Sequence, residues 1–271
     1  MSEHETVQDT RSRIDREREF HDRAFAEGLR GKNDSYYDVA TTSRDWYREL
    51  LRRSYSGQRV LEYGCGDNPN GSLVLAECGA DVTAVDLSPV AVERARVAAR
   101  GRGLQDRIEF KIMNAETLEF PDDSFGLICG NGIVHHLDLD TAFAEVARVL
   151  EPGGIAIFRE PMGTNPAVNL YRRLTPAERT DDEHPLVMSD LELARRYFGR
   201  VRARRFHLSV LAAIPVRHTR VFPYLHRALD AADRAIMRAI PPARGWGWLI
   251  VMELSEPRPA AQRPAPGAAT A

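Results

Sequence analysis

The residues best suited to chemistry lie where an apolar run meets two glycines. Glu62, Gly64, Cys65 and Gly66 occur in the segment VLEYGCG at 60–66, and Asp86 ends the next apolar run, 20 residues after Gly66. Glycines at such a point let the chain turn sharply and let a ligand approach without a Cβ in the way. An acid at the position of Asp86 holds a ribose diol in nucleotide-binding α/β folds. A tight turn and a helix N-cap are the structural alternatives.

The residues after Gly66 distinguish between two kinds of ligand. A dinucleotide site needs a third glycine in GxGxxG spacing, because the pyrophosphate lies on the helix N-terminus. Here the positions read Asp67-Asn68-Pro69-Asn70 instead. A loop that contains Glu62 and Asp67 suits a cationic ligand better than a pyrophosphate.

Three further candidates for catalysis are His135, His136 and Glu160. A histidine near its free pKa can take a proton from an attacking group. Neighbours in a helical turn point about 100° apart, so one histidine of the pair faces a site, and we favour His135. Glu160 ends a strand at the edge where open α/β sheets bind ligands, and there it can act as a base. The alternatives are structural histidines and an ion pair of Glu160 with Arg159 or an arginine at 172–179.

The middle of the chain alternates short β-branched runs with amphipathic stretches, which is typical of βαβ units and a parallel sheet. Strands are predicted at 59–64, 81–87, 108–113, 125–130 and 154–160, and helices at 71–79, 88–103 and 138–150. Ser88 and Pro89 mark the start of the second of these helices. Residues 161–188 predict an ordered excursion rather than a helix–strand unit. The remaining predictions are a helix at 189–198, a strand at 200–211, a helix at 217–240 and a strand at 246–254.

From residue 57 to residue 160 the motifs resemble, in order, those of class I S-adenosylmethionine-dependent methyltransferases. Glu62-x-Gly64-x-Gly66 resembles the first motif, Asp86 the acid that binds both ribose hydroxyls, and Arg148–Gly154 the turn before the fifth strand. The loop at 67–71 is about one residue longer than the family pattern. The resemblance implies a cofactor site formed by Glu62, Gly64, Cys65, Gly66, Asp86, Leu87, Asn114, Ala115, Glu116 and Asn131.

Two other segments extend the resemblance. Asn114-Ala115-Glu116 matches the adenine-bordering stretch, which usually reads Asp-Ala-Glu, and the Asn114 amide oxygen could accept from the adenine amino group. Glu116 as a solvated loop acid is the alternative. GNGIVHHL at 130–137 matches the segment after the fourth strand, and residues 159–186 look like the bacterial type 11 subgroup.

The resemblance implies an α/β fold, a Rossmann-like class I methyltransferase sheet that is mostly parallel with an antiparallel last strand. We expect an N-terminal helical cap (1–56), a cofactor-binding core (57–160), a C-terminal half with substrate-binding insertions (161–255) and a disordered tail (256–271). Some N-terminal aromatic residues either close over the cofactor or simply pack: Phe20, Phe25, Tyr36 and Tyr37. An apolar series forms a lid, a dimer face or core: Leu225, Leu229, Ile236, Met237 and Ile240.

Composition limits the classes of function. The 271 residues include 37 basic and 39 acidic side chains, a net charge of −2 that argues against a protein built mainly to grip nucleic-acid backbone. The three cysteines form no CxxC pair, and the acidic run before His184 predicts a solvated loop, so we expect no metal. The absence of a signal peptide and of an apolar stretch of about 18 residues leads us to expect a cytoplasmic protein without membrane contact.

These observations predict methyl transfer from S-adenosylmethionine to a small, partly apolar natural-product or lipid-like molecule, with O-, N- and C-methylation all open. Whether the protein is a homo-oligomer is also open. One alternative is a non-methylating relative that binds a ligand or acts as a cyclase or isomerase. The other is an RNA methyltransferase in which Arg172-Arg173 and the arginines at 200–205 form a phosphate-binding stripe.

Overall fold

A seven-stranded sheet forms the centre of the protein, for which a computed structural model describes residues 3–27, 37–53, 55–174 and 183–263. Its strands are β1 (Arg59–Tyr63), β2 (Asp81–Asp86), β3 (Ile108–Ile112), β4 (Phe125–Asn131), β5 (Leu150–Pro161), β6 (Phe198–Phe206) and β7 (Leu249–Pro257). The order across the sheet is β3-β2-β1-β4-β5-β7-β6. The first five strands are parallel, and β7 runs antiparallel to β5 and β6. The predicted Rossmann-like fold class is therefore confirmed.

Helices cover both faces of the sheet. They are α1 (Glu3–Ala26), α2 (Thr41–Leu51), α3 (Asn70–Glu77), α4 (Pro89–Gly101), α5 (Leu139–Val149), α6 (Pro166–Leu174), α7 (Met188–Tyr197) and α8 (Phe222–Ala239). Short 3₁₀ turns span Val134–His136, Val210–Val216, Pro241–Trp246 and Ala260–Gln262. None of the helices in the described ranges is long and apolar enough to cross a membrane.

The central parallel strands β1 and β4 read as largely apolar runs because both of their faces are buried. Successive side chains of a strand point to opposite faces. Leu61 and Tyr63 of β1 therefore join a core that contains Phe143 of α5, whereas Val60 joins a second core that contains Leu73 of α3. With a helical layer on each side, these central strands need no solvated face, whereas the edge strand β3 exposes Glu109 and Ile112.

The helix after β2 begins where the sequence predicts. The Ser88 hydroxyl accepts a hydrogen bond from the backbone N–H of Ala91 (3.1 Å), and Pro89 occupies the first turn. A serine cap satisfies one of the unpaired N–H groups of a helix start, and proline is pre-organised there. The carboxyl end of β2 is thereby held in place directly beside the two glycines of the loop after β1.

The C-terminal half differs from its prediction at several points, including residues 256–257, which belong to β7 rather than to a disordered tail. Residues 161–188 contain helix α6, which the prediction omitted; the Asn165 side chain caps it by accepting from Ala167 N (3.0 Å) and Val168 N (3.1 Å). Strand β6 ends at Phe206 rather than at residue 211, because His207 has a positive φ of 65°. The last strand begins at Leu249 rather than at residue 246, because the preceding residues form a 3₁₀ turn.

Two peripheral helices carry the side chains whose roles the sequence left open. On α8, Met237 is buried but Ile236 is 40% exposed, and Ile240, directly after the helix, is 53% exposed, so these two are not core residues. On α1, Phe20 is partly buried and Phe25 is 2% exposed; Tyr36 lies outside the described residues. Helix α1 lies against α4, and the Ser88 hydroxyl donates to Asp22.

Candidate functional site: a cleft under the N-terminal helix

A cleft opens at the carboxyl ends of β1, β2 and β4, underneath α1. It offers roughly 710 Å³ of space, open solvent included, which suits a small-molecule site. The cleft brings together most of the predicted residues: Gly64, Gly66, Asp86, Leu87, Asn114, Ala115, Glu116, Asn131 and His136. Helix α1 supplies a wall that includes Phe25, one of the aromatic residues proposed to close over the cofactor, and four residues that the sequence reasoning did not assign: Arg13, Ile14, Glu17 and His21.

The two glycines of the loop are required by backbone geometry. Gly64 and Gly66 have φ values of 63° and 59°, in the left-handed region that other residues rarely adopt. A Cβ on Gly64 would lie 2.6 Å from Cγ1 of Ile133, which follows β4. A side chain at Gly64 would thus collide with the loop after β4.

Asp86 is held rigidly at the floor of the cleft. Its Oδ2 accepts a hydrogen bond from Gly66 N (2.8 Å), and its Oδ1 accepts from Ser88 N (2.9 Å). Each carboxylate oxygen has a second lone pair available, so two neighbouring hydroxyl groups can still donate to it. Because Ser88 is the helix cap, Asp86 does not have the alternative role of N-cap. Its position and acceptor chemistry fit a ribose diol.

The stretch after β3 forms the next wall. Asn114 Oδ1 accepts from Glu116 N (3.0 Å), so the amide oxygen that we expected to face the adenine already has a backbone donor. Glu116 is 5% exposed, accepts from both Arg13 (2.6 Å) and Asp138 N (2.7 Å), and is therefore not a solvated loop acid. This ion pair ties α1 to the cleft wall. Ala115 is fixed through its carbonyl, which accepts from Tyr63 Oη (2.9 Å).

Glu62 and Cys65 lie outside this cleft. The Glu62 carboxylate is buried and accepts from Gly71 N (3.0 Å) and from Ser72 N (2.9 Å), so it satisfies the N-terminus of α3. Burial raises the pKa of Glu62 to about 7, although the bonds from Ser72 and Gly71 oppose the shift. The Cys65 thiol is also buried, and burial raises its pKa. Both residues border a second cavity on the other side of the glycine loop.

We expect Glu62 to make the free energy of unfolding fall as the pH rises from about 4.5 to about 7. The folded protein retains the Glu62 proton up to about pH 7, whereas the unfolded chain releases it near 4.5, so ionisation penalises the folded state in this window. The penalty reaches about 3 kcal/mol, since each pKa unit corresponds to about 1.4 kcal/mol. Denaturant unfolding at pH 5 and pH 7.5 should show this fall in the wild type and lose it in Glu62→Gln. Glu77→Gln, at an exposed position at the end of helix α3, serves as the control. An unchanged pH dependence in Glu62→Gln would contradict the assignment.

The second cavity is lined by three arginines that the sequence reasoning missed. Arg44 and Arg48 come from α2 and Arg159 from β5, around roughly 520 Å³ of space that adjoins the cleft at Gly64 and Asn131. The Nε of Arg44 is buried without a hydrogen-bond partner. Among the described residues no carboxylate lies within 4.0 Å of these three guanidinium groups. Burial lowers the pKa of Arg159 to about 10, with the charge of Arg44 acting in the same direction.

Three guanidinium groups around one cavity, with Arg159 buried and Arg44 and Arg48 half-buried, favour an anionic ligand. Arg159 donates to Ser43 Oγ (3.1 Å) and to Asn131 Oδ1 (2.8 Å), and Arg48 donates to Asn70 Oδ1 (3.3 Å); all three of these acceptors are neutral. Desolvated cations without a counter-charge are costly, and a bound carboxylate relieves that cost. The side of the second cavity that the arginines line thus suits an anion.

Glu160 and His135 form a buried pair beneath the cleft. Glu160 is 0% exposed; its Oε1 accepts from Ile133 N and Val134 N (both 3.1 Å), and its Oε2 lies 2.7 Å from His135 Nδ1. Glu160 is therefore paired with a histidine, rather than with the arginines named as its alternative partners. Burial disfavours the charged imidazole, but the bonds to Glu160 and Glu183 prevail and raise the pKa of His135 to about 9.

His136, rather than the favoured His135, reaches the cleft. The two rings lie 4.1 Å apart, centre to centre, and burial together with the charge of His135 lowers the pKa of His136 to about 4. Its Nδ1 is buried without a hydrogen-bond partner, 3.4 Å from Glu17 Oε2. The structure thus places His135 inside the protein and His136 at the wall of the cleft.

Glu183, in the loop before α7, is not the solvated acid that we expected. Glu183 has a side chain 13% exposed and accepts from Arg172 (2.7 Å), with His135 Nε2 3.7 Å away. His184 lies 3.2 Å from Asp190. Asp181 and Asp182 lie outside the described residues. Glu183 is part of the same buried polar cluster as the two histidines.

Comparison with known proteins agrees with this geometry. Residues 61–158 match the family model of type 11 that is described as a methyltransferase domain. The matched residues include most of β1, the glycine loop that follows it, Asp86, and the segments after β3 and β4. This region of the chain is a class I S-adenosylmethionine-dependent methyltransferase domain of the type 11 kind.

Similar proteins include the methyltransferase GfsG of Streptomyces halstedii, 37% identical over 100 residues, which are 36% of each chain. Aklanonic acid methyltransferase DauC of a Streptomyces species is 37% identical over 110 residues, covering 40% of this chain and 50% of DauC. The geranyl diphosphate C-methyltransferase of Streptomyces coelicolor, solved with Mg²⁺, geranyl diphosphate and S-adenosyl-L-homocysteine, superposes with a TM-score of 0.54 at 15% identity and 79% coverage of both chains. The chain thus spans between a third and a half of the two curated relatives.

Proposed function

We propose that this protein transfers the methyl group of S-adenosylmethionine to a small, partly apolar acceptor. One observation carries the proposal: the Asp86 carboxylate, held by two backbone N–H groups, faces a cleft beside a glycine loop that has no room for a side chain. The carboxylate and the glycine loop together fit a nucleoside ligand that carries no pyrophosphate. Natural-product methyltransferases among the relatives support an acceptor of that kind.

The cleft and the second cavity together accommodate the two ends of this cofactor. Asp86 would bind the ribose hydroxyls, and Asn114 and Ala115 would border the adenine. The arginine-lined cavity, reached past Gly64 and Asn131, would take the methionine carboxylate. When bound, S-adenosylmethionine supplies a methyl group on a cationic sulfonium, which a nucleophile attacks.

Arg44→Gln should weaken binding of the amino-acid end of the cofactor without affecting binding of its nucleoside end. We expect the affinity for S-adenosylhomocysteine to fall roughly 10–100-fold, since a charged hydrogen bond contributes about 1.5–3 kcal/mol. The affinity for methylthioadenosine, which lacks the amino-acid tail, should stay the same. Calorimetric titration of both ligands measures the difference, and Arg52→Gln, an exposed arginine just after the same helix, is the control. Equal losses for both ligands would mean that Arg44 does not bind the tail.

The remaining residues position the reactants and exclude water. Arg13, paired with Glu116, and Phe25, against Gly66, hold α1 over the cleft. Alignment of donor and acceptor in a dry site provides most of the rate in such a transfer. His135 and Glu160 would act as positioning residues that fix the turn bearing His136, and His136 would contact the acceptor.

The test is the formation of S-adenosylhomocysteine with a panel of phenols, enols, amines and carboxylic acids, followed by chromatography and mass spectrometry. Methylated product from a member of the panel supports the proposal. Tight cofactor binding without turnover for the whole panel would favour the ligand-binding or cyclase alternative. The nucleic-acid alternative predicts steep salt dependence of oligonucleotide binding. Against it, Arg200 pairs with Glu256 (3.0 Å) and Arg204 lies on Trp46 (4.3 Å), so these arginines already have partners.

A further inference from the structure

Three metal-ligating side chains meet at the wall of the cleft that α1 provides. One donor atom from each of Glu17, His21 and His136 lies within 4.8 Å of the other two. Glu17 Oε2 is 3.2 Å from His21 Nε2 and 3.4 Å from His136 Nδ1. The first two residues are four apart on α1 and therefore share a face, while the third comes from the 3₁₀ turn after β4.

These separations match those between ligands of one ion. Zinc is held by histidine nitrogen and carboxylate oxygen at about 2.0–2.2 Å, so tetrahedral ligands lie roughly 3.3–3.5 Å apart. The Nδ1 of His136 is an independent indication, since it is buried, points at Glu17 and has no hydrogen-bond partner. A buried nitrogen without a partner is costly, and a bound ion would satisfy it.

The set of donors also leaves a coordination position open. Glu17, His21 and His136 all line the cleft, so an ion held by them would face the space available to the acceptor. Two histidines and one carboxylate, with a fourth position for water or substrate, is the arrangement of catalytic rather than structural zinc sites. An ion in that position makes a bound hydroxyl group more acidic.

We infer that Glu17, His21 and His136 bind a divalent transition-metal ion of the zinc class, whose open position takes an oxygen of the acceptor. Only the assignment of the acceptor rests on the proposed function. The inference narrows the class of acceptor to alcohols, phenols and enols. The ion site itself is independent of the proposed function.

A second set of donors shares His136 with this one but fits an ion less well. His135, His136 and Glu183 also converge. Glu183, however, already accepts from Arg172 (2.7 Å), and His135 is bound to Glu160 through Nδ1. Of these three only His136 lines the cleft. The site on α1 is therefore the one that can present an ion to a substrate.

The experiment uses the full-length chain without a histidine tag, stripped with a chelator and dialysed. Zinc is titrated by calorimetry, and cobalt, added in its place, reports four-coordinate geometry through its visible absorption. We expect one equivalent bound by the wild type, by Glu183→Gln and by His184→Gln, the last being an exposed histidine that serves as the matched control. In His21→Gln and Glu17→Gln the affinity should fall more than the roughly 10–100-fold that loss of an outer partner costs.

Two results would overturn the site: no zinc binding by the wild type, and unchanged binding by His21→Gln. Loss of binding in Glu183→Gln alongside that second result would place the ion on the set formed by His135, His136 and Glu183 instead. Thermal unfolding of each variant shows that a lost ion does not reflect a lost fold. Because no cofactor or acceptor is present, failure of metal binding leaves the methyltransferase proposal intact. Methylation of an amine alone by a zinc-loaded enzyme would overturn the oxygen-acceptor assignment.

Discussion

Asp86→Asn should lose S-adenosylmethionine affinity by about 100-fold or more. The carboxylate can accept from two ribose hydroxyls, and each charged hydrogen bond contributes about 1.5–3 kcal/mol, a total of at least about 3 kcal/mol. The substitution also brings an amide N–H towards Gly66 N or Ser88 N, where two donors would face each other. Calorimetric titration with S-adenosylmethionine measures the loss.

The control for this prediction lies on the same strand. Asp81 begins β2, is exposed and does not line the cleft, so Asp81→Asn should bind the cofactor like the wild type. Comparison of the two variants by circular dichroism separates a binding defect from misfolding. If the affinity of Asp86→Asn stays within about threefold of the wild type, the ribose does not bind to this carboxylate. A threefold change corresponds to about 0.7 kcal/mol, which is less than one charged hydrogen bond contributes.

The part of the site that the sequence predicted depends on local order along the chain. A buried strand must end before the glycine loop, and the acid at the end of the adjacent parallel strand then lies at the same edge. Gly64, Gly66, Asp86 and the Asn114–Glu116 stretch meet this condition, and all of them line the cleft. The Ser88 cap was predictable for the same reason, because it depends on neighbouring residues only, and it begins α4 as predicted.

The remainder of the site comes from contacts between distant parts of the chain. Arg13 reaches Glu116 across 103 residues, and Arg159 meets Ser43 across 116 residues. In the sequence these arginines resemble the many others, because nothing local distinguishes a buried guanidinium from an exposed one. The pair Glu160 and His135 was misjudged for the same reason: the sequence placed each at the correct sheet edge but did not indicate that they would contact each other.

The missed helix α6 is a different case, because the sequence does contain its signal. Asn165 precedes Pro166, and an asparagine cap followed by proline in the first turn is a frequent helix start. The many prolines of this region outweighed that signal in the prediction. The end of β6 just before His207 had no comparable signal, because a positive φ at a histidine depends on packing: the His207 Nε2 lies 3.0 Å from Ser43 Oγ in the interior.

Glu160→Gln should lower the free energy of unfolding by about 3–5 kcal/mol, the cost of breaking a buried ion pair by removing one partner. Glu160 is fully buried and holds the turn after β4 through three hydrogen bonds, two of them to backbone N–H groups. A glutamine can keep one oxygen acceptor for the backbone but directs its amide towards the His135 ring. Denaturant unfolding followed by circular dichroism gives the free energy. Glu109→Gln on β3, whose side chain is 64% exposed, should change it by less than about 0.5 kcal/mol.

A double-mutant cycle with His135 distinguishes an ion pair from simple packing. If the pair is coupled, Glu160→Gln combined with His135→Gln should be less destabilised than the sum of the single variants by roughly 1–3 kcal/mol, because no unpaired charge then remains buried. Additive losses would mean that Glu160 acts only through the backbone of Ile133 and Val134. Either result bears on catalysis, since the turn that Glu160 holds also carries His136 to the cleft. If Glu160 and His135 are coupled, His135→Gln alone should change the cofactor affinity little but lower kcat. If their effects on the free energy of unfolding are additive, only Glu160→Gln should lower kcat.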